Sequence, residues 1–288
     1  FRFVLMLTAT PIQNRLWDIY SLVDLLAVAR GHENPFGSEG MFQRRFIADR
    51  PDQARRLKTE AQEEFRSIVY GYMSRIRRGD AGLYFPERVV QMHRVEPSGA
   101  ELRLIEAISG PIQQLNRLAQ ISILKALTSS PEALLDQLIN MGRNGTVPLA
   151  LVDEVRTIVE SMPPSTKLQG LAKLVDELRT QNPDRWRLVV FTGRRETQTT
   201  IQVFFEQQGI PVGLISGSTG PRNQETLTRF RKDPPELRVI VSTDAGSEGV
   251  NLQVANVLVN YDLPWNPMIV EQRIGRVQRL ASEHAYVS

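Results

Sequence analysis

The chain has 288 residues, no cysteine, and a formal charge of only +3 from 35 basic against 32 acidic residues. With 41% hydrophobic and 23% charged residues it has the composition of an ordinary globular protein with room for one large or two small domains, and the missing cysteines exclude disulfides and cysteine-ligated zinc. No apolar run approaches the ~18 residues needed to cross a bilayer, so no membrane partner is expected.

In chain order, Phe1 to Leu7 is almost wholly apolar and predicts a buried parallel strand, ended at Thr8-Ala9-Thr10-Pro11 because proline has no N–H to add to a ladder. A chain that opens inside a strand, without methionine, is expected to be a piece of something longer. Leu16, Ile19, Tyr20, Leu22, Val23, Leu25 and Leu26 recur at helical spacing, and the Gly, Asn and Pro of residues 31–40 end that helix. A second, highly charged helix is predicted from about Asp52 to Met73, then an extended crossing segment over 83–97. Residues 99–162 are helical by their leucine and isoleucine periodicity, broken at Gly142, Gly145 and Pro148, and carry no catalytic pattern.

Pro163-Pro164-Ser165 marks a boundary, with Ser165 or Thr166 as helix cap. Beyond it, strands are predicted at Leu188 to Thr192, Val212 to Ser216, Val239 to Ser242 and Val257 to Asn260. Amphipathic helices alternate with them, which predicts an α/β fold with a parallel sheet covered on both faces.

Basic clusters stand at Arg44 to Lys58, at Arg75, Arg77 and Arg78, and at Arg185 to Arg195; with so small a net charge, any nucleic-acid surface must come from such clusters, and each also reads as a solvated helix face. His32, His93 and His284 lack ligand spacing, so no metal site is expected from them. Near the end, Gln272-Arg273-Ile274-Gly275-Arg276-Val277-Gln278-Arg279 puts arginines three apart, where Arg273, Arg276 and Arg279 share one helix face and could grip an oxyanion. A plain basic face is the alternative for the octet alone. In Ser242-Thr243-Asp244-Ala245-Gly246-Ser247-Glu248-Gly249-Val250-Asn251, Gly246 and Gly249 remove side chains where a phosphate could approach, and the hydroxyls add donors. A structural turn is the other reading. Trp265, between two prolines, is expected to pack against the arginine helix.

These two segments and Leu7-Thr8-Ala9-Thr10-Pro11-Ile12-Gln13-Asn14, in their order and spacing, resemble the third, fifth and sixth motifs of superfamily-two helicase-like ATPases. The Pro-Ile-Gln-Asn ending and Asp262-Leu263-Pro264-Trp265-Asn266-Pro267 make the resemblance one to the Swi/Snf family. It covers both ends of the chain and most of residues 165–282. The resemblance implies a RecA-like second lobe at 163–288, the end of a first lobe at 1–19, a helical protrusion and crossing segment at 20–97, and a helical insertion at 98–162.

By the same resemblance, Arg276 and Arg279 are arginine fingers, Gln272 sits near the nucleotide, and Arg273 braces the motif. Glu248 and Asn251 couple nucleotide to nucleic acid, Gly249 serves ATP binding or that coupling, and Thr8 and Thr10 belong to the motif that couples the two lobes. Ser242 and Thr243 contact a strand phosphate; Arg77 and Arg78, from their basic cluster and not from the resemblance, are expected to add contacts to the nucleic-acid backbone. The implied cofactors are ATP and Mg2+, held mainly by the missing first lobe, since no Gly-x-x-x-x-Gly-Lys-Ser/Thr loop and no Asp-Glu pair of that kind occurs here. The implied partners are double-stranded DNA and that first lobe, with room for further proteins, in a bacterial or archaeal cytoplasm or a eukaryotic nucleus. Ala281-Ser282, where many relatives carry Gly-Gln, departs from the pattern. The expected activity is that of a duplex translocase, silent in this chain alone; a strand-separating helicase and a non-catalytic DNA-binding module are the alternatives.

Overall fold

The computed structural model describes residues 4–8, 11–12, 14–76, 87–217, 220–247 and 250–278, and the backbone of 286–287. Two compact units divide the chain, Phe1–Leu83 and Tyr84–Ser288.

In the first unit, helices α1 (Leu16–Ala29), α2 (Glu39–Phe46) and α3 (Gln62–Tyr72) close on an aromatic core. Phe36, Phe42 and Phe46 are completely buried there, and Phe65 packs against them with ring centroids 5.3 to 6.5 Å apart. Asp18 fixes the start of α1 by accepting the Asn14 and Arg15 N–H groups. Two expectations fail in this unit. The long charged helix begins only near residue 59, because Asp49 draws the Arg55 and Arg56 amides into a turn, Ala54 takes φ 43°, and Ile47 bridges Leu57 in antiparallel fashion. Residues 4–8 lie outside any strand: among the described residues no strand offers them a ladder, and Leu5 and Leu7 are more than 80% exposed.

The second unit opens with a short strand β1 (Glu87–Arg88) and four helices, α4 (Gly99–Gln113), α5 (Arg117–Ser129), α6 (Pro131–Arg143) and α7 (Leu149–Ser161). Side chains spaced three and four apart, such as Leu104 and Ile108, or Leu134 and Leu138, build a core private to these helices. Ser98, Asn116 and Ser130 cap α4, α5 and α6. The glycines and the proline between residues 142 and 148 end α6 and start α7, as the sequence predicts, and Ser165 caps α8 (Thr166–Gln181) by accepting the Leu168 N–H.

From there β2 (Leu188–Thr192), α9 (Arg195–Gln207), β3 (Val212–Ile215), α10 (Gly220–Arg231), β4 (Val239–Thr243), the single turn α11 (Asp244–Ser247), β5 (Val257–Asn260) and α12 (Pro267–Val277) follow one another, and β6 (Tyr286–Val287) pairs in parallel with β1. The four longer strands form one parallel sheet in the order β3-β4-β2-β5, with Leu188 level with Val239 and Val257. Alternation decides the layers. Leu188, Val190, Val239 and Val241 face Leu171, Val175, Ile201 and Phe205, whereas Val189, Phe191 and Ile240 face Leu227, Phe230 and Val277. Helices therefore cover both faces, which is why β2 and β4 are buried along their whole length and apolar up to their polar carboxyl ends.

A polar junction lies where the helical segment meets the sheet. Glu101 accepts the Ser98 N–H at 2.7 Å and the Thr166 N–H at 3.2 Å, capping α4 and α8 with one carboxylate. Lys167 donates to the Thr128 and Ser129 carbonyls and stands 4.2 Å from the centroid of the Tyr261 ring. Burial pulls the Lys167 pKa down to about 8, against the pull of Asp262 and Glu101, and burial raises that of Tyr261.

Candidate nucleotide and nucleic-acid site

The carboxyl ends of β2, β3, β4 and β5 share one edge of the sheet, where ligands of parallel α/β folds bind. Gln198, nearly buried on α9, donates through Nε2 to the carbonyls of Ile215 at 3.0 Å and Val241 at 2.8 Å, fastening β3 to β4 just before the motif turn. Gly246 lies so close to the end of β3 that an added Cβ would stand 2.6 Å from Ser216 Cα and 2.7 Å from the Ile215 carbonyl oxygen. Its small size is required by packing against the end of β3, which accords with the structural-turn reading of this glycine. Ser242 is fully buried with Oγ on the Thr243 carbonyl at 3.1 Å, so its hydroxyl is not at the surface, and Thr243 beside it is buried too, with 9% of its surface exposed.

Helix α12 is set by Asn266, whose side chain accepts the Met268 N–H, and by Pro267 in its first turn. Those two residues fix the turn without help from Trp265. That ring is 73% exposed, not packed, with the Lys125 ammonium 5.4 Å from its centroid.

The arginine row divides. Arg273, 2% exposed, turns inward and donates from Nε to Asp244 Oδ1 at 2.7 Å and from Nη2 to Asp244 Oδ2 at 3.0 Å. Its Nη1 serves Asn260 Oδ1 at 2.8 Å and the Asp262 carbonyl at 3.0 Å, and the guanidinium lies 5.3 Å from the Phe191 ring centroid. A bidentate pair plus two further acceptors uses the fork geometry that only arginine has and compensates the desolvation of a buried charge. Arg273 is thus a brace between α12, the motif turn and the end of β5, and it is not at the surface for a phosphate. Gln272 is exposed and Arg276 half-buried; the Arg276 carbonyl accepts the Leu252 N–H at 3.2 Å. Asn251 shapes the intervening loop, its Oδ1 accepting the Gln253 N–H and its carbonyl accepting Arg231 Nη2 at 2.7 Å.

Gln272, Arg276, Asn251 and Thr243 therefore fall on or beside the β4 turn and α12, within the second unit. Thr8 is exposed in the first unit. Thr10, Arg77, Arg78, Glu248, Gly249 and Arg279 lie outside the described residues. Sequence reasoning missed Gln198 and Asp244 as structural partners. Asp244 had a signal, an acid inside a motif otherwise read for phosphate, whereas Gln198 had none. Among the described residues no group of three or more acidic or histidine side chains could hold a metal.

Two family models match, the SNF2-related domain over residues 2–143 and the helicase conserved C-terminal domain over residues 167–281. The chain belongs to the Swi/Snf family of superfamily-two helicase-like proteins. This Swi/Snf chain is 32% identical over 288 residues to the uncharacterized ATP-dependent helicase YqhH of Bacillus subtilis (strain 168), covering 98% of the chain and 49% of YqhH. It is 31% identical over 112 residues to the RNA polymerase-associated protein RapA of Vibrio vulnificus (strain YJ016), covering 38% of the chain and 11% of RapA. The chain thus spans about half of YqhH and about a tenth of RapA. In fold, it is similar to the crystal structure of the C-terminal part of the Fun30 ATPase domain, with a TM-score of 0.52 and 12% identity over 70% of this chain and 83% of that one. The RecA-like α/β architecture expected from the sequence is the one found.

Proposed function

We propose that this chain is the part of an ATP-driven duplex-DNA translocase that completes the nucleotide site with arginine fingers and carries contacts to the DNA backbone. The observation behind the reading is the division of labour on α12: Arg273 is committed to Asp244, Asn260 and Asp262, while Gln272 and Arg276 stand on the outer part of the same helix. A braced helix holds a guanidinium in place without reorganisation, which is what stabilising the spreading charge of a transferred phosphoryl group requires.

ATP supplies that phosphoryl group. Arg276 and Arg279 would meet its oxygens, and Gln272 would border the nucleotide. The magnesium ligands and the phosphate loop are assigned to the part of longer relatives that this chain does not span. Thr243 at the end of β4, with basic clusters such as Arg75, Arg77 and Arg78, is assigned to the polynucleotide backbone, a mode of binding that ignores base sequence and weakens steeply with salt.

The test is Arg276→Ala in the full-length protein. DNA-stimulated ATP turnover should fall by about a thousandfold, or about 4 kcal/mol in barrier, with duplex affinity retained. Near-normal turnover would make Arg276 a structural residue. Triplex displacement without strand separation by the unaltered protein supports translocation; efficient unwinding without triplex displacement would favour a strand-separating helicase.

A further inference from the structure

The helical segment α4 to α7 carries none of the motifs, yet its α5–α6 corner is bonded into the working edge of the sheet. Ser129, buried at the end of α5, donates to Asp262 Oδ2 at 2.6 Å. Thr197 of α9, also buried, places Oγ1 2.7 Å from Ser129 Oγ and 2.9 Å from Ser130 Oγ. From the opposite side the same carboxylate accepts Thr192 Oγ1 at 3.0 Å and, on Oδ1, the Gly193 N–H at 3.0 Å. Arg194, next in that loop, reaches back to Gln137 Oε1 and to the Ser122 carbonyl.

Asp262 has a further partner, because its own carbonyl takes Arg273 Nη1 at 3.0 Å. One residue therefore receives the brace of the arginine helix on its backbone and the helical segment on its side chain. A shift of α12 that moves Arg273 bears on Asp262, and the hydrogen bonds its carboxylate accepts from Ser129 and Gly193 pass that movement to the α5–α6 corner and the loop after β2.

We propose that Asp262 is a positioning residue that ties α12 to the α5–α6 corner, so that the helical segment moves with the arginine helix when nucleotide binds. The inference rests on the nucleotide-site reading above and extends it to a segment with no motif of its own.

The experiment compares full-length wild type, Ser129→Ala, Ser129→Thr and Asp262→Asn. Amide hydrogen exchange over residues 120–135 and 190–200 is recorded with and without a non-hydrolysable ATP analogue, alongside ATP turnover and triplex displacement. In the wild type, the analogue should change exchange over 120–135. In Ser129→Ala and Asp262→Asn that change should disappear; in Ser129→Ala ATP turnover should stay within about twofold while triplex displacement per ATP falls about fivefold or more. Ser129→Thr, which keeps the hydroxyl, should restore both. A nucleotide-dependent change over 120–135 that persists in both disrupted variants, or that is missing in a wild type shown to bind the analogue, overturns the proposal. A wild type that turns over ATP without displacing a triplex defeats translocation alone, and the exchange data then decide the role of Asp262.

Discussion

Replacing Arg273 by methionine keeps the length of the side chain and removes its charge and every donor. Four bonds disappear, two to Asp244 and one each to Asn260 Oδ1 and the Asp262 carbonyl. The Asp244 side chain is 40% exposed and can rehydrate, so its loss contributes little. Each of the two orphaned acceptors costs about 1–2 kcal/mol, which gives a loss of about 3 kcal/mol, at the lower end of what breaking a buried ion pair costs. Trp186 is 3% exposed inside the core of this unit, so its emission reports unfolding of the sheet. The assay is urea denaturation followed by that emission, in a Trp17→Phe, Trp265→Phe background. With a denaturant slope of roughly 2–3 kcal/mol per molar, the midpoint should fall by about 1–1.5 M. Arg273→Lys keeps the charge, but one ammonium cannot span four acceptors, so about half of the loss should remain. A midpoint that moves by less than about 0.3 M in Arg273→Met would refute the assignment of Arg273 as the brace.

Gly246→Ala should cost about 1–3 kcal/mol, because the new methyl group meets the backbone of Ser216 and Ile215 and not a side chain that can swing away; the same denaturation assay checks it, and a neutral substitution would mean that the two loops part easily. Lys167 predicts a pH dependence. Its folded pKa of about 8 lies below the ordinary 10.5, so between those values the unfolded chain holds a proton that the folded chain has released, and stability should rise by about 2 kcal/mol from pH 8 to pH 10. Above pH 10 the raised pKa of Tyr261 acts in the opposite sense, since the unfolded chain ionises first. Lys167→Met should flatten the rise; a slope that survives in that variant would assign it to another group.

The sheet was legible because each strand is a short apolar run bounded by an amphipathic helix, and burial on both faces leaves that mark whatever the family. Leu188 to Thr192 and Val257 to Asn260 occur at the predicted bounds. The first unit was less legible. Helix α2, Glu39–Phe46, lies mostly between the break predicted at 31–40 and the helix predicted from Asp52, and its Phe42 and Phe46 are fixed by tertiary contact with Phe36 and Phe65. At the site, motif spacing located α12 and the β4 turn. Which arginine faces inward depends on Asp244 and Asn260, 29 and 13 residues away in sequence, and no periodicity reports that. Trp265 was misplaced because flanking prolines suggest a packed anchor, whereas Asn266 and Pro267 already start the helix.

The strand order β3-β4-β2-β5 has a consequence for how the chain is born on a ribosome. β2 and β3 are made first but are not neighbours, and each must wait for β4 to come between them. From Ile215 to Thr243, which takes about 1–6 s at ordinary elongation rates, the segments Leu188–Thr192 and Val212–Ile215 have emerged with no ladder to join. The helices α4 to α7, whose contacts are local, can assemble during that interval and await the sheet. Vectorial synthesis thus exposes two apolar strands together, and these are the stretches a nascent-chain chaperone would bind.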